Sequence, residues 1–133
     1  MSDAVNVWLV EDNAAFRTAV QRVISTSPGF VCGGAFRSIE EMEGALRRGE
    51  PKPRVVLLDV GLPGMSGIEG IPRIRGYAPD ASLIILTVFE DDDKIFRAIC
   101  AGAAGYMLKS SSVEEIMQAI EDSLRRLDTD YID

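Results

Sequence analysis

The chain has 133 residues, 47% of them hydrophobic, with 12 glycines and 6 prolines, a length and balance that argue for a single domain. Its formal net charge of -7 disfavours non-specific binding to nucleic acid, whose phosphate backbone is met by lysine and arginine. There is no histidine, which excludes imidazole as nucleophile, general base, metal ligand or phosphoryl carrier.

Five apolar stretches alternate with five helix-like ones. Val5 to Val10 reads as the first strand. Phe16, Ala19, Val20, Val23 and Ile24 then fall on one helical stripe. Phe30 to Phe36 is the second strand, and the helix after it opens with Ser38-Ile39-Glu40-Glu41, a capping-box pattern. That helix turns Ile39, Met42 and Leu46 inward and stops at Gly49. Arg54 to Leu58 is the third strand. A helix over about Ser66 to Arg75 contains Pro72, which removes a helical hydrogen bond and predicts a kink or a late start. Ser82 to Leu86 is the fourth strand, followed by a helix over about Asp92 to Ala101 with Ile95, Phe96 and Ile99 on its apolar side. Gly105 to Leu108 is the fifth strand. The last helix keeps Val113, Ile116, Met117, Ile120 and Leu124 in register, with Ser112 and Glu115 as a second capping box.

The runs VNVWLV, RVVLL and SLIIL are almost unbroken, as in strands covered on both faces. Strand-helix alternation of this kind predicts a doubly wound α/β fold, a parallel sheet with helices on both sides. No repeat or linker precedes about residue 127, so residues 1–127 are expected to form the domain and 128–133 a tail or the start of a linker. Cys32 and Cys100 each sit in a short apolar run and match no metal or redox spacing, which predicts buried free thiols in a cytoplasmic protein. No apolar run reaches the length of a membrane span, and Met1-Ser2-Asp3-Ala4 lacks the features of a secretion signal.

Ligands of doubly wound sheets bind outside the carboxyl ends of the strands. Glu11 and Asp12 follow the first strand, Asp59 ends the third, Thr87 ends the fourth and Lys109 ends the fifth. Singly, each has an ordinary reading. Asp12 suits a helix N-cap and Glu11 a helix start. Asp59 suits the turn Asp59-Val60-Gly61-Leu62-Pro63-Gly64, Thr87 a strand, Lys109 a solvated strand end and Tyr106 a core position. Together they say more. Three carboxylates at one sheet edge repel one another unless a cation or proton lies between them. Ligands that are all oxygen point to a hard cation such as Mg2+. A lysine and a hydroxyl supply the charge and the donor that a phosphoryl group needs. The residues themselves therefore point to a Mg2+-dependent phosphoryl site with an aspartate nucleophile.

The same residues resemble a known family. Leu9-Val10-Glu11-Asp12-Asn13 and Val55-Val56-Leu57-Leu58-Asp59-Val60-Gly61-Leu62-Pro63-Gly64-Met65-Ser66-Gly67 look like the two acidic motifs of response-regulator receiver domains. Ile84-Ile85-Leu86-Thr87 and Ala101-Gly102-Ala103-Ala104-Gly105-Tyr106-Met107-Leu108-Lys109 look like the other two. The likeness covers about residues 5 to 125. It implies a flavodoxin-like sheet in the order 2-1-3-4-5 with five helices.

It also implies roles. Asp59 matches the phospho-accepting residue. Asp12 and Asp59 would hold Mg2+ directly, Glu11 through water, and Gly61 through its carbonyl. Lys109 would pair with the phosphoryl oxygens, Thr87 would bond to the transferred group, and Tyr106 would turn inward as Thr87 moves. The implied donor is a histidine kinase or a small phosphodonor. The implied activity ends with the chain's own phosphoryl transfer and autodephosphorylation, so it is not an enzyme on any other substrate. A homodimer formed on phosphorylation stays open, and neither nucleic acid nor membrane is an expected direct partner of this segment.

Three features mark this sequence within the pattern. Ser110 follows Lys109 where many receivers have proline. Val88 follows Thr87 where a smaller residue is frequent, and its branched side chain would slow water's approach. The run Leu86-Thr87-Val88-Phe89-Glu90-Asp91-Asp92 resembles receivers of LuxR- and NarL-type transcription regulators, so a role in transcription is expected, either standing alone or within a longer regulator. Competing readings are weaker. An aspartyl-phosphate phosphatase of the haloacid dehalogenase type usually has an acid where Gly61 stands. A non-phosphorylated pseudo-receiver would usually lack Asp59, Asp12 or Lys109. A flavodoxin-like flavin carrier would need a Ser/Thr/Gly-rich phosphate loop after the first strand.

Overall fold

The computed structural model describes residues 4–62, 65–88 and 92–130. The strands are β1 (Val5–Val10), β2 (Phe30–Phe36), β3 (Val55–Asp59), β4 (Ser82–Thr87) and β5 (Gly105–Leu108). The helices are α1 (Ala14–Thr26), α2 (Ile39–Arg47), α3 (Gly67–Tyr77), α4 (Asp92–Ala101) and α5 (Val113–Asp130). All strand pairs are parallel and the order is β2-β1-β3-β4-β5, as the sequence led us to expect. Asp59 and Thr87 close β3 and β4, as the sequence led us to expect, and Arg54 lies just outside β3.

Side chains alternate across a strand with period two, and here that alternation divides the core. Trp8, Val10, Val56, Leu58, Leu83 and Ile85 point to one face, where Ile39, Met42, Ile71, Ile74 and Ala98 cover them. Val7, Leu9, Val55, Leu57, Ile84 and Leu86 point to the other, under Val20, Ile24, Ile116 and Ile120. β3 and β4 are buried throughout, which is why they read as continuous apolar runs. The edge strand β2 is only partly buried.

The helix ends refine several expectations. Asn13, not Asp12, caps α1, its side chain accepting from the Phe16 N–H at 2.9 Å. Ser38 caps α2, but Glu41 reaches back to the Arg37 N–H rather than completing a reciprocal box. Ser112 and Glu115 do complete one on α5, and Ser66 and Glu69 make another on α3. With Ser66 as cap, α3 starts at Gly67 and runs through Pro72 to Tyr77. No peptide bond is cis among the described residues. The α5 backbone continues to Asp130, past the boundary expected near 127, and residues 131–133 lie outside the described residues.

Four expected inward positions are exposed: Ala19, Phe96 at 67%, Ile99 at 52% and Cys100. Cys32 is half-buried. The side chain of Val113 lies outside the described residues. For α4 the reason is its place: it packs on α3, with Ala98 and Ala101 against the core and Ile95 half-buried, while Phe96 and Ile99 face out.

Candidate functional site

Strand register builds the site. Val10 pairs with Leu58, Asp59 with Leu86 and Thr87 with Leu108, so the carboxyl ends of β1, β3, β4 and β5 finish within two residues of one another. Glu11, Asp12, Asp59, Thr87 and Lys109 all line one open cleft of about 300 Å3 at that edge. Gly61 lines it too, on the loop that leaves β3. Tyr106 does not. It is 41% exposed and lines a separate cavity of about 180 Å3 between β5 and α5, with Met107, Ala119 and Ser123.

Within the cleft the acids are unequal. Glu11 is fully buried, Asp59 is 5% exposed and Asp12 is open to solvent. One oxygen from each lies within 4.8 Å of the others. Backbone amides hold two of them in place: the Asn13 N–H donates to Glu11 Oε2 at 2.9 Å and the Gly61 N–H to Asp59 Oδ1 at 3.1 Å. Lys109 closes the set, with Nζ 2.6 Å from Glu11 Oε1 and 3.2 Å from Asp59 Oδ2. Its ammonium also stands 5.3 Å from the centre of the Phe16 ring.

Burial raises the Glu11 pKa above its usual range, outweighing the stabilisation by Lys109 and the Asn13 N–H, and the Asp59 charge adds to the rise. Burial alone would lower the Lys109 pKa, but its bond to Glu11 and the charges of Asp59 and Glu11 carry it above the ordinary value. One ammonium thus faces three clustered carboxylates, and the cluster keeps an excess of negative charge. The donors are all oxygen, the set that hard divalent cations prefer. The residues fit Mg2+.

Residues 7–121 match the model of the response regulator receiver domain. The chain belongs to that family. It is a receiver domain of the kind that two-component response regulators carry. It is 36% identical over 116 residues to the response regulator GacA of Pseudomonas protegens, covering 87% of this chain and 54% of that protein. The transcriptional regulatory protein LiaR of Bacillus subtilis is 34% identical over 116 residues, again 87% of this chain and 54% of the relative. This receiver chain spans about half the length of the curated relatives it matches. Among solved structures, a LuxR-family response regulator from Aurantimonas sp. SI85-9A1 superposes with a TM-score of 0.80 at 28% identity, over 98% of this chain and 99% of that one.

Several residues at the receiver's site were not singled out by the sequence. Asn13 and Lys94 line the cleft, and Arg17 donates from Nη1 to the Glu11 carbonyl at 2.8 Å. Asn13 stands in the first acidic motif and was readable from its position. Nothing local marks Lys94 or Arg17, because only the fold brings them to the strand ends.

Proposed function

We propose that this receiver takes a phosphoryl group on Asp59 from a histidine kinase, in a Mg2+-dependent reaction, and thereby changes its contact surface to regulate transcription. The supporting observation is the carboxylate of Asp59, nearly buried at the floor of the cleft, 3.2 Å from the Lys109 ammonium and clustered with two further acids.

The Asp59 oxygen would form a bond to the donor's phosphorus as the phosphorus–nitrogen bond to the kinase imidazole breaks. The electron pair leaves with that nitrogen, which takes up a proton. Glu11, Asp12, Asp59 and the Gly61 carbonyl would hold Mg2+. When bound, it supplies positive charge that offsets the repulsion between the acids and the arriving phosphoryl oxygens. Lys109, already at the cluster, would turn from Asp59 to those oxygens, and the Thr87 hydroxyl would donate to them. The gain of charge would bias Thr87 and Tyr106 toward a second arrangement. Tyr106, Phe96 and Ile99, all exposed on β5 and α4, suit a contact face for a partner or a second copy. No helix among the described residues is long and apolar enough to cross a membrane, and the proposed setting is the cytoplasm.

The test is intact mass after incubation with acetyl phosphate, with and without Mg2+, beside Asp59→Asn. One added phosphoryl group that needs both the metal and Asp59 is the expected result. Failure with this donor and with a panel of phosphorylated kinases, on folded protein, would overturn the reading.

A further inference from the structure

The corner that carries Glu11 and Asp12 is held from behind by a residue of α1. Arg17, the fourth residue of that helix, donates from Nη1 to the Glu11 carbonyl at 2.8 Å and to the Asp12 carbonyl at 3.4 Å. Its main-chain N–H donates to the Asn13 carbonyl at 2.9 Å, so backbone and side chain both return to the junction of β1 and α1. Arg17 is half-buried and stays out of the lining of the cleft. A positive charge this close to a helix N-terminus is opposed by the helix dipole, so helix stability does not account for it. Its contacts to the two carbonyls do.

Those contacts matter because the two acids are fastened unequally. Glu11 is fixed at several points: its N–H donates to the Phe36 carbonyl, its carbonyl accepts from Arg17, Oε2 accepts from the Asn13 N–H, and Oε1 meets Lys109. The Asp12 side chain stands in solvent, and its direction follows from the backbone that Arg17 holds. Resting on the Mg2+ site and the phosphorylation of Asp59 proposed above, we infer that Arg17 is a positioning residue for the cation. It fixes the main chain at Glu11 and Asp12 so that both carboxylates stay gathered with Asp59, within the 4.8 Å at which their oxygens already lie. Groups that orient metal ligands from outside act on affinity without touching the metal.

Electrostatics and positioning predict opposite signs. Removing a positive charge near a divalent-cation site strengthens binding by Coulomb's law alone. Removing a brace weakens it.

Mn2+, which oxygen donors hold as they hold Mg2+, serves as the probe, its free ion counted by electron paramagnetic resonance. It is titrated into wild type, Arg17→Met, Arg17→Gln, Arg17→Lys and Arg22→Met. Arg22 is exposed on the same helix, away from the lining of the cleft, and its loss changes net charge equally. Arg17→Met should bind roughly three- to tenfold more weakly, less than for a group bonded to a ligand's own side chain, because the contact acts through the backbone. Arg17→Lys keeps the charge and a donor and should recover part of the loss, while Arg22→Met should equal or exceed wild type. Arg17→Gln, polar but shorter, should lose as much as Arg17→Met and decides alone should that variant not fold. Labelling by acetyl phosphate should reach half its full rate at a Mg2+ concentration raised by the same factor, with the full rate near wild type. A lower full rate at an unchanged half-point would mark loss of fold alone and overturn the inference. If the Arg17 variants bind Mn2+ as tightly as wild type, or Arg22→Met weakens equally, the inference fails and the receiver reading survives. If wild type binds neither ion and accepts no phosphoryl group, both fail.

Discussion

Helices α2 and α4 are almost equal in length, nine and ten residues, and each carries an apolar stripe, yet they meet the sheet differently. Along α2, Ile39, Met42 and Ala45 are at most 1% exposed, and even Glu43 is buried. That carboxylate accepts two hydrogen bonds at 2.8 Å from Nη2 of Arg73 on α3, with Arg47 3.5 Å away on its other side. The α2–α3 side is thus fastened by packing and by charge. On α4, Ala98 is buried, but Phe96 and Ile99 face outward at 67% and 52% exposure. An amphipathic period shows that a face is apolar and says nothing of what it faces. In α2 the face meets the core. In α4 part of it is left over, on the side of the receiver where a contact surface is expected.

Truncations measure that difference most directly. Met42→Ala leaves a hole in a fully enclosed site and should lower the unfolding free energy by about 2–5 kcal/mol. Phe96→Ala removes a larger side chain from solvent and should change stability by no more than about 0.5 kcal/mol. Urea unfolding of both variants decides the matter. Comparable losses would mean that α4 is held as firmly as α2, and the contrast would collapse.

Within α3, two glycines make close approaches of different kinds. A Cβ on Gly67 would overlap the carbonyl oxygen of Asp59, a backbone atom that cannot swing aside. A Cβ on Gly70 would lie 2.6 Å from Cδ1 of Ile39, the tip of a side chain. Gly67→Ala should therefore cost about 1–3 kcal/mol and Gly70→Ala less, since Ile39 can repack. Displacing the backbone at Asp59 should also slow labelling by acetyl phosphate. Equal stability and equal labelling in the two alanine variants would show that the start of α3 has more room than its contact with β3 implies.

What the sequence revealed follows the same physics. β3 and β4 were legible because a strand covered on both faces leaves no polar position to blur it, and Asp59, Thr87 and Lys109 were legible because they stand where those runs stop. Glu11 was found by position, though nothing local announced that it would be fully buried. Phe96 and Ile99 were misjudged because periodicity cannot tell a core-facing stripe from an outward one. Glu43 was missed because glutamate on a helix normally stays in solvent; its burial depends on Arg73, 30 residues away. Glu43 meets Arg73 only when α2 and α3 are brought together, and a window of neighbouring residues shows only Arg47.

The smallest effect lies at the mouth of the cleft. Loss of the phosphoryl group from Asp59 needs a water oxygen to bond to phosphorus as the bond to the Asp59 oxygen breaks, returning carboxylate and orthophosphate. Val88 lines the cleft directly after Thr87 and is 63% exposed, so its branched side chain would screen the approach from one side without sealing it. Val88→Ala should therefore speed the decay by a few-fold, short of the tenfold that about 1.4 kcal/mol represents. Phosphoprotein followed by intact mass after removal of the donor gives the rate, and an unchanged rate would refute the screening role. Val88 is too exposed for its truncation to disturb the core. A faster decay at unchanged stability would then assign the effect to access at the open side of the receiver, leaving the α2–α3 side untouched.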